Sequence, residues 1–482
     1  PGMEDIDATN GTDGSGKSTP PSVSGKRDKW AVAGFFGRLN YDYKDRYMAE
    51  VNLRYDGTSR FREDKRWKFF PSFSAGWNIA REDFWSDYES IANTLKVRGS
   101  YGVLGNQNTS SWYPTYVTMP IGTSDGGWLI NGKKPNTSNA PELISSFMTW
   151  ETVSTLNIGL DFGFLNNRLT GSFDWFERQT QDMVGPAPEM PLILGTPVPK
   201  TNNTDLRTRG WELNITWRDR LPIGLGYSAT FNLSDDRTKI TNYPNELYDL
   251  GKYFTGQNVG DIWGYETIGI AKSQEEMDRH LASLPNGGQQ PLGSQWEAGD
   301  IMYKDLNGDG VINNGSNTLD DHGDLKVIGN NTPRYRFGLS IGADWKGFDL
   351  NLFFQGVMKR DFWEGSYNFF GHTDYIWTSV AYEEHMDYFR ADPDHIMGLN
   401  LDSYYARPLD NTNKNQKKQT RYLQKGSYIR LKNVQIGYTI PASIMEKVGI
   451  SKFRVFASGE NLWTATKLNK IFDPETLGGG NN

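Results

Sequence analysis

Cysteine is missing from all 482 residues. Its absence removes a disulfide framework, a thiolate zinc site and a cysteine nucleophile, and leaves the compartment open. Also missing is any run of about 18 consecutive apolar residues, so no helix is expected to cross a bilayer. Positive charge is not in excess, with 51 Lys and Arg against 58 Asp and Glu and a net charge of -7. That balance gives no support to a nucleic-acid partner, which favours a basic face. Histidine is scarce: His280, His322, His372, His385 and His395 are the only five, and none is spaced as H-E-x-x-H. Each reads as a polar loop residue rather than a base or metal ligand. The acidic pairs Glu275-Glu276 and Glu383-Glu384 read as solvated charge. No catalytic constellation is left, and the chain is not expected to be an enzyme. No secretory signal is visible, and the start at Pro1 suggests that the natural N-terminus lies upstream.

One motif is present in letters only. Gly11 to Ser18 spell G-x-x-x-x-G-K-S, the string of a phosphate-cradling loop. That loop needs a strand before it and a helix after it. Upstream stands PGMEDIDATN, without β-branched runs, and downstream Pro20, Pro21 and Gly25 forbid a helix. The stretch reads as a solvated, flexible Gly/Ser/Asp loop.

What the chain has in quantity is rings and glycine: 13% aromatic residues and 52 glycines, at a mean hydropathy of -0.64. The rings alternate with polar residues. In FFGRLNYDYKDRYMAEVNLRYDG, Leu39, Tyr41 and Tyr43 share one parity and Arg38, Asn40 and Asp42 the other. After Lys44-Asp45-Arg46, Tyr47, Ala49, Val51, Leu53 and Tyr55 continue the pattern. A period of two over such lengths predicts a hairpin of strands, each with one apolar and one polar face. Comparable alternation recurs at 69–79, 95–101, 156–164, 169–175, 211–217, 225–233, 335–345 and 348–354, and near 427–440 and 452–463. That makes twelve candidate strands. Between Leu431 and Val434 the apolar parity shifts, which reads as a bulge.

Many of these strands exceed the usual five or six residues, and membrane strands need about 9–11. Alternation alone does not separate a soluble sandwich from a barrel, but the connections do. Lys44-Asp45-Arg46, Asn166-Asn167, the Asp219 to Pro222 turn and Lys346-Gly347 are short; 106–148, 185–204, 241–333 and 361–426 are long, and all lie at one end. Short periplasmic turns and long extracellular loops predict an all-β, antiparallel up-and-down transmembrane barrel portion. Strand 31–43 then runs inward, and residues 1–29 form an external loop segment.

GFFGRLNYDYKDRYMAEVNLRYDGTSRF, KFFPSFSAGWNIARE, LKVRGSYGVLGNQ, LDFGFLNNRLTGSFDWF, DLRTRGWELNITW, GSYIRLKNVQIGYTIP and FRVFASGENLWT resemble successive barrel blocks of the SusC/RagA-like TonB-dependent transporters. The resemblance implies a 22-stranded outer-membrane barrel with an N-terminal plug. It also implies import of oligosaccharides or peptides, a SusD-like lipoprotein lid and energy from TonB. Residues 30–482 would supply about 12 of the 22 strands. The plug, and a closing strand after KIFDPETLGGGNN, are expected to lie outside this chain. A passive pore, an adhesin or a barrel hydrolase is the alternative class; an importer requires the plug, and a hydrolase a catalytic group at the rim.

Two further features are candidate sites. Asp305, Asn307 and Asp309, with Gly310 at the sharp turn and the Val311 carbonyl, occupy positions 1, 3, 5, 6 and 7 of a calcium loop. Position 12 is Ser316, so a later acid, Asp320 or else Asp321 or Asp324, would close the shell; the same string also reads as an Asx-rich turn that binds nothing. Trp112, Trp128, Trp263, Trp296, Trp363 and Trp377 lie outside the strands, either to stack on sugar or meet the lid protein, or to fill small cores within the loops.

Overall fold

The computed structural model describes residues 5–6, 23–24, 27–109, 111–117, 119, 121–122, 129–132, 135, 137–138, 141, 143–144, 148–187, 198–371, 382–410 and 412–477. The Gly11–Ser18 motif lies outside them. Twelve strands form one antiparallel sheet in which every strand pairs with its neighbours in chain order. They are β1 (Val32–Tyr43), β2 (Tyr47–Thr58), β3 (Trp67–Asn78), β4 (Ala92–Asn106), β5 (Glu151–Phe164) and β6 (Leu169–Val184). The second half is β7 (Asn202–Arg220), β8 (Gly226–Asn242), β9 (Arg334–Trp345), β10 (Phe348–Lys359), β11 (Tyr428–Thr439) and β12 (Arg454–Thr466). All twelve expected strands are therefore present, in an up-and-down meander.

The tight turns are closed by local chemistry. Lys44 and Asp45 take φ of 56° and 54°, and the Asp42 carboxylate accepts from the Asp45 N–H at 3.0 Å. Gly347, at φ 89°, turns β9 into β10. The connections at this end are 44–46, 79–91, 165–168, 221–225, 346–347 and 440–453; at the other end lie 59–66, 107–150, 185–201, 243–333 and 360–427. The expected bulge is found at Lys432. Phe354 faces Leu431 and Phe353 faces Asn433, so one residue of β11 is left out of the ladder.

Register turns local alternation into two continuous faces. Tyr43, Tyr47, Trp77, Val97, Leu160, Phe173, Leu213, Leu233 and Phe337 lie opposite one another in a single row across β1 to β9. The row Asn40, Glu50, Ser74, Ser100 and Asn157 lies on the opposite face. On that face Arg98 bonds Asp174 through two nitrogens at 2.6 Å each. The reach passes over Gly159, where a Cβ would stand 2.5 Å from the Arg98 guanidinium carbon. The apolar face is not covered by protein: Leu39 is 69% exposed and Phe35 68%. So large and continuous an uncovered apolar surface is suited to lipid. Among the described residues β1 pairs only with β2 and β12 only with β11. Hydrocarbon offers no partner to such edges, so in a membrane they must meet other strands.

Leu160→Arg, on the apolar row, is expected to destabilise membrane assembly by about 2–4 kcal/mol, and Ser100→Arg, on the polar row, by far less. Refolding of the full-length barrel into lipid vesicles measures both; equal losses would refute the assignment of faces.

Candidate functional site

The described residues of the long connections 243–333 and 360–427 are folded. Asp261–Tyr265 pairs with Leu325–Asn330, and Thr267–Ile270 with Ile301–Tyr303, giving two small ribbons. Between them runs α1 (Gln274–Ala282), whose start is set by Ser273: its hydroxyl accepts from the Glu276 N–H. Glu275 and Glu276 lie in its first turn and Arg279 and His280 in its last, matching the helix dipole. The buried face of α1, through Met277, joins Tyr265, Ile270, Trp296, Ile301, Tyr303 and Ile312 from the first connection to Phe369, Phe389, Tyr405 and Tyr422 from the second. Among the described residues the larger buried apolar core is thus in this cap at the long-connection end.

A charged hub ties the two connections together. Asp300, fully buried, accepts from Arg407 at 2.8 and 2.9 Å, from Asn415 at 2.9 Å and from the Glu297 N–H at 2.9 Å. Lys414 Nζ lies 2.8 Å from Asp300 Oδ2 and 4.7 Å from the centroid of the Trp296 ring. Burial pushes the Asp300 carboxyl up, but the Arg407, Lys414 and Asn415 bonds outweigh it and hold the group below its ordinary value. Removing one member of such a buried set leaves an uncompensated charge and costs about 3–5 kcal/mol.

The acidic loop sits on the rim of this cap. The Asp305 carboxylate accepts from the N–H groups of Gly308 at 2.6 Å and Gly310 at 2.9 Å. Asn307 accepts from Asp309 N–H at 3.0 Å, and Asp309 from Val311 N–H at 2.9 Å. Of the three later acids, the fold brings Asp324 to the loop: it is fully buried and accepts from Leu306 N–H at 2.7 Å and Asn313 N–H at 2.9 Å. Asp320 is exposed, and Asp321 accepts from Ser316 at 2.6 Å. Burial raises the Asp324 carboxyl, the two N–H donors oppose it, and the charges of Asp305 and Asp309 reinforce it. Among the described residues no three His, Asp or Glu are grouped to hold a metal. A cation here would depend on the Asn307 amide and the Val311 carbonyl as well.

The tryptophans part company. Trp296 is core, edge-on to Tyr303. Trp363 is half-buried against Phe370, and Trp263 packs beside His322. Trp112 is 40% exposed, and Trp128 and Trp377 lie outside the described residues. Of the histidines, His280 bonds Gln289 at 3.1 Å, His385 bonds Phe369 O at 3.1 Å and His395 bonds Tyr388 at 3.3 Å, each serving loop structure; His372 lies outside the described residues. Phe370, His385, Tyr388, Tyr405, Arg407 and Tyr422 wall a cavity of about 250 Å³. That is below the roughly 300–1,000 Å³ of small-molecule sites, so the cavity is not by itself a substrate chamber.

A surface feature carried no sequence signal. The segment 387–400 is closed by bridges from Tyr388 to Tyr405 and from Arg390 to Asn400. Arg390 donates to the Gly398 carbonyl at 2.9 Å and to the Met386 carbonyl at 2.7 Å. This fixed loop presents an apolar tip: Ile396 is 97% exposed, Leu399 53% and Met397 37%.

With the sheet and its cap in place, the class is defined. Residues 3–462 match the TonB dependent receptor-like, beta-barrel family, and the chain belongs to it. Barrels of this family lie in the outer membrane, and it is a family of receptors rather than enzymes, in agreement with the sequence expectation. The chain is 29% identical over 453 residues to TonB-dependent receptor P3 of Formosa agariphila, covering 91% of this chain and 41% of the relative. It is 25% identical to TonB-dependent receptor SusC of Bacteroides thetaiotaomicron, covering 93% and 42%. It thus spans about two fifths of the length of these relatives. Its fold superposes on the RagAB peptide importer in the "closed-closed" state with a TM-score of 0.70 at 20% identity, covering 97% of this chain and 47% of that one.

His280 links the stability of α1 to pH. Burial pulls its pKa below the ordinary value, against a smaller opposing effect of the Gln289 bond. The folded cap therefore holds a neutral ring, and its contribution to stability is full above the unfolded value of about 6.5 and is lost as pH falls below it. Amide exchange in α1 of the full-length protein, corrected for intrinsic rates, is expected to quicken from pH 7.5 to 5.5, and His280→Gln to remove that change. An α1 equally protected at both pH values in the unsubstituted protein would refute the account.

Proposed function

We propose that this chain forms the C-terminal part of the barrel of an energy-coupled outer-membrane importer that takes oligosaccharides or peptides and works with a SusD-like surface lipoprotein. Family membership and the relatives named above support the transport reading. In it, substrate enters between lipoprotein and barrel, and a plug contributed from outside residues 1–482 moves under energy from TonB. The long-connection end is extracellular on this reading, because short turns face the periplasm in such barrels. The observation that carries the partnership is the tip Ile396-Met397-Leu399, a preorganised apolar anchor whose Ile396 is more exposed than Leu247 or Ile268, other uncovered aliphatic residues of the cap. Trp112 is a further exposed ring available for contact.

Ile396→Asp with Leu399→Asp in the full-length protein is expected to weaken lipoprotein binding by about 2 kcal/mol or more. Co-purification from outer membranes and uptake of labelled oligosaccharide or peptide measure the effect. Undiminished co-purification would overturn docking at the tip. Uptake unchanged in cells without TonB would overturn energy coupling.

We infer too that the Asp305 loop takes calcium as a structural ion. Asp305, Asn307, Asp309 and the Val311 carbonyl supply hard oxygen donors, and Asp324 replaces Asp320 as the closing acid. Three mutually repelling carboxylates would be relieved by a divalent cation. Metal analysis of the purified full-length protein is expected to find about one calcium per chain at this loop, and Asp324→Asn to lower that occupancy. Protein free of calcium, with an exchange rate over 305–324 indifferent to added calcium, would rule the site out.

A further inference from the structure

Where the apolar band ends on the long-connection side, the outward face changes on three adjacent strands. The row Phe173–Leu213–Leu233 is followed by Trp175–Trp211–Asp235, then by Glu177–Arg209–Arg237, and then by Gln179–Arg207–Lys239. Side chains two residues apart along a strand share a face, so these lie on the lipid-facing side, directly above the tryptophans. Tryptophan at such a level marks the boundary between hydrocarbon and headgroups. The four cations therefore stand at headgroup depth.

Their arrangement is costly by itself. Arg209 lies opposite Arg237, and Arg207 opposite Lys239, in register. Like charges directly opposite across a ladder are destabilising. Nearby acids neutralise them only in part: Glu177 pairs with Arg209 and also acts on Arg207, and Asp235 acts on Arg237. Glu177 is taken by Arg209 and Gln179, and Asp235 by Arg334. Among the described residues the side chains of Arg207, Arg237 and Lys239 form no hydrogen bond or ion pair, and Arg237 and Lys239 are exposed. Three cations without a bonded acid, two of them exposed, at a membrane surface leave charge to be met by an external anion.

We infer that Arg207, Arg209, Arg237 and Lys239 bind the phosphate of an anionic lipid in the outer leaflet. Guanidinium groups grip phosphate oxygens in pairs, Lys239 adds a point charge, and Trp175 and Trp211 receive the upper acyl region. The inference rests on the outer-membrane placement of the barrel and is independent of what the receptor carries.

Full-length receptor in detergent is titrated with phosphorylated lipid A, with the same lipid after dephosphorylation, and with inorganic phosphate, and bound lipid is read by native mass spectrometry. Binding of the phosphorylated lipid is expected to exceed that of the dephosphorylated one. Each cation near an anionic surface contributes about fivefold, so Arg207→Gln with Arg237→Gln and Lys239→Gln should weaken binding roughly a hundredfold. Arg207→Lys with Arg237→Lys keeps the charge and should retain most of it. Should the triple variant fail to fold, the exposed single change Lys239→Gln carries the test, with about a fivefold loss. Equal binding of both lipids, or wild-type binding in the Gln variants, would overturn the site. Displacement of the lipid by inorganic phosphate at equal concentration would identify a free-anion site instead and overturn the lipid assignment.

Discussion

Hydrocarbon accepts no unpaired N–H or C=O, and that constraint organises everything between the turns of this protein. Strands must hydrogen-bond to strands, so the only freedom left to the side chains is which face they take. Once β1 to β9 are locked in register, a single apolar residue per strand extends into a row such as Tyr43 to Phe337, and one residue of slip would send that row to the polar side. The bulge at Lys432 shows the same constraint from the other direction. The parity of β11 changes there, and the extra residue restores Val434 to its place opposite Leu352.

Outside the hydrocarbon the problem is reversed. Water pairs any backbone group, so a long connection gains nothing from extending the sheet and must find apolar burial to be ordered at all. The cap does so by combining two connections in one core and pinning them with Asp300, Arg407 and Lys414. A buried charged set of this kind adds little net stability against an apolar alternative, but it admits one arrangement and penalises others. The rigid cap in turn sets where Ile396 projects and where Asp324 meets the Asp305 loop. Between the two regimes lies the row of outward cations, of which only Arg209 has a bonded acid.

Much of the sheet was legible in the letters because a strand reports its own faces every second residue. All twelve strands, the tight turns and the bulge were read from windows of a few residues. The cap was not legible in that way. Trp296 looks like any other loop tryptophan until Tyr303 and Lys414 close around it. Asp320 and Asp324 are equivalent acids in the sequence, and only the turn through Gly323 directs the second into the loop. The tip at Ile396 reads as an ordinary short apolar pair; what distinguishes it is that among the described residues nothing covers it.

Local periodicity was sufficient for the membrane-facing architecture, since alternation, turn chemistry and connection length are all short-range properties and the bilayer enforces the rest. Tertiary structure alone decided the pairing of Asp300 with Arg407 and Lys414, more than a hundred residues away along the chain. It alone placed Arg209 against Arg237 and Arg207 against Lys239 as well, because cross-strand neighbours are set by register, a long-range hydrogen-bonding choice that no single stretch of residues records.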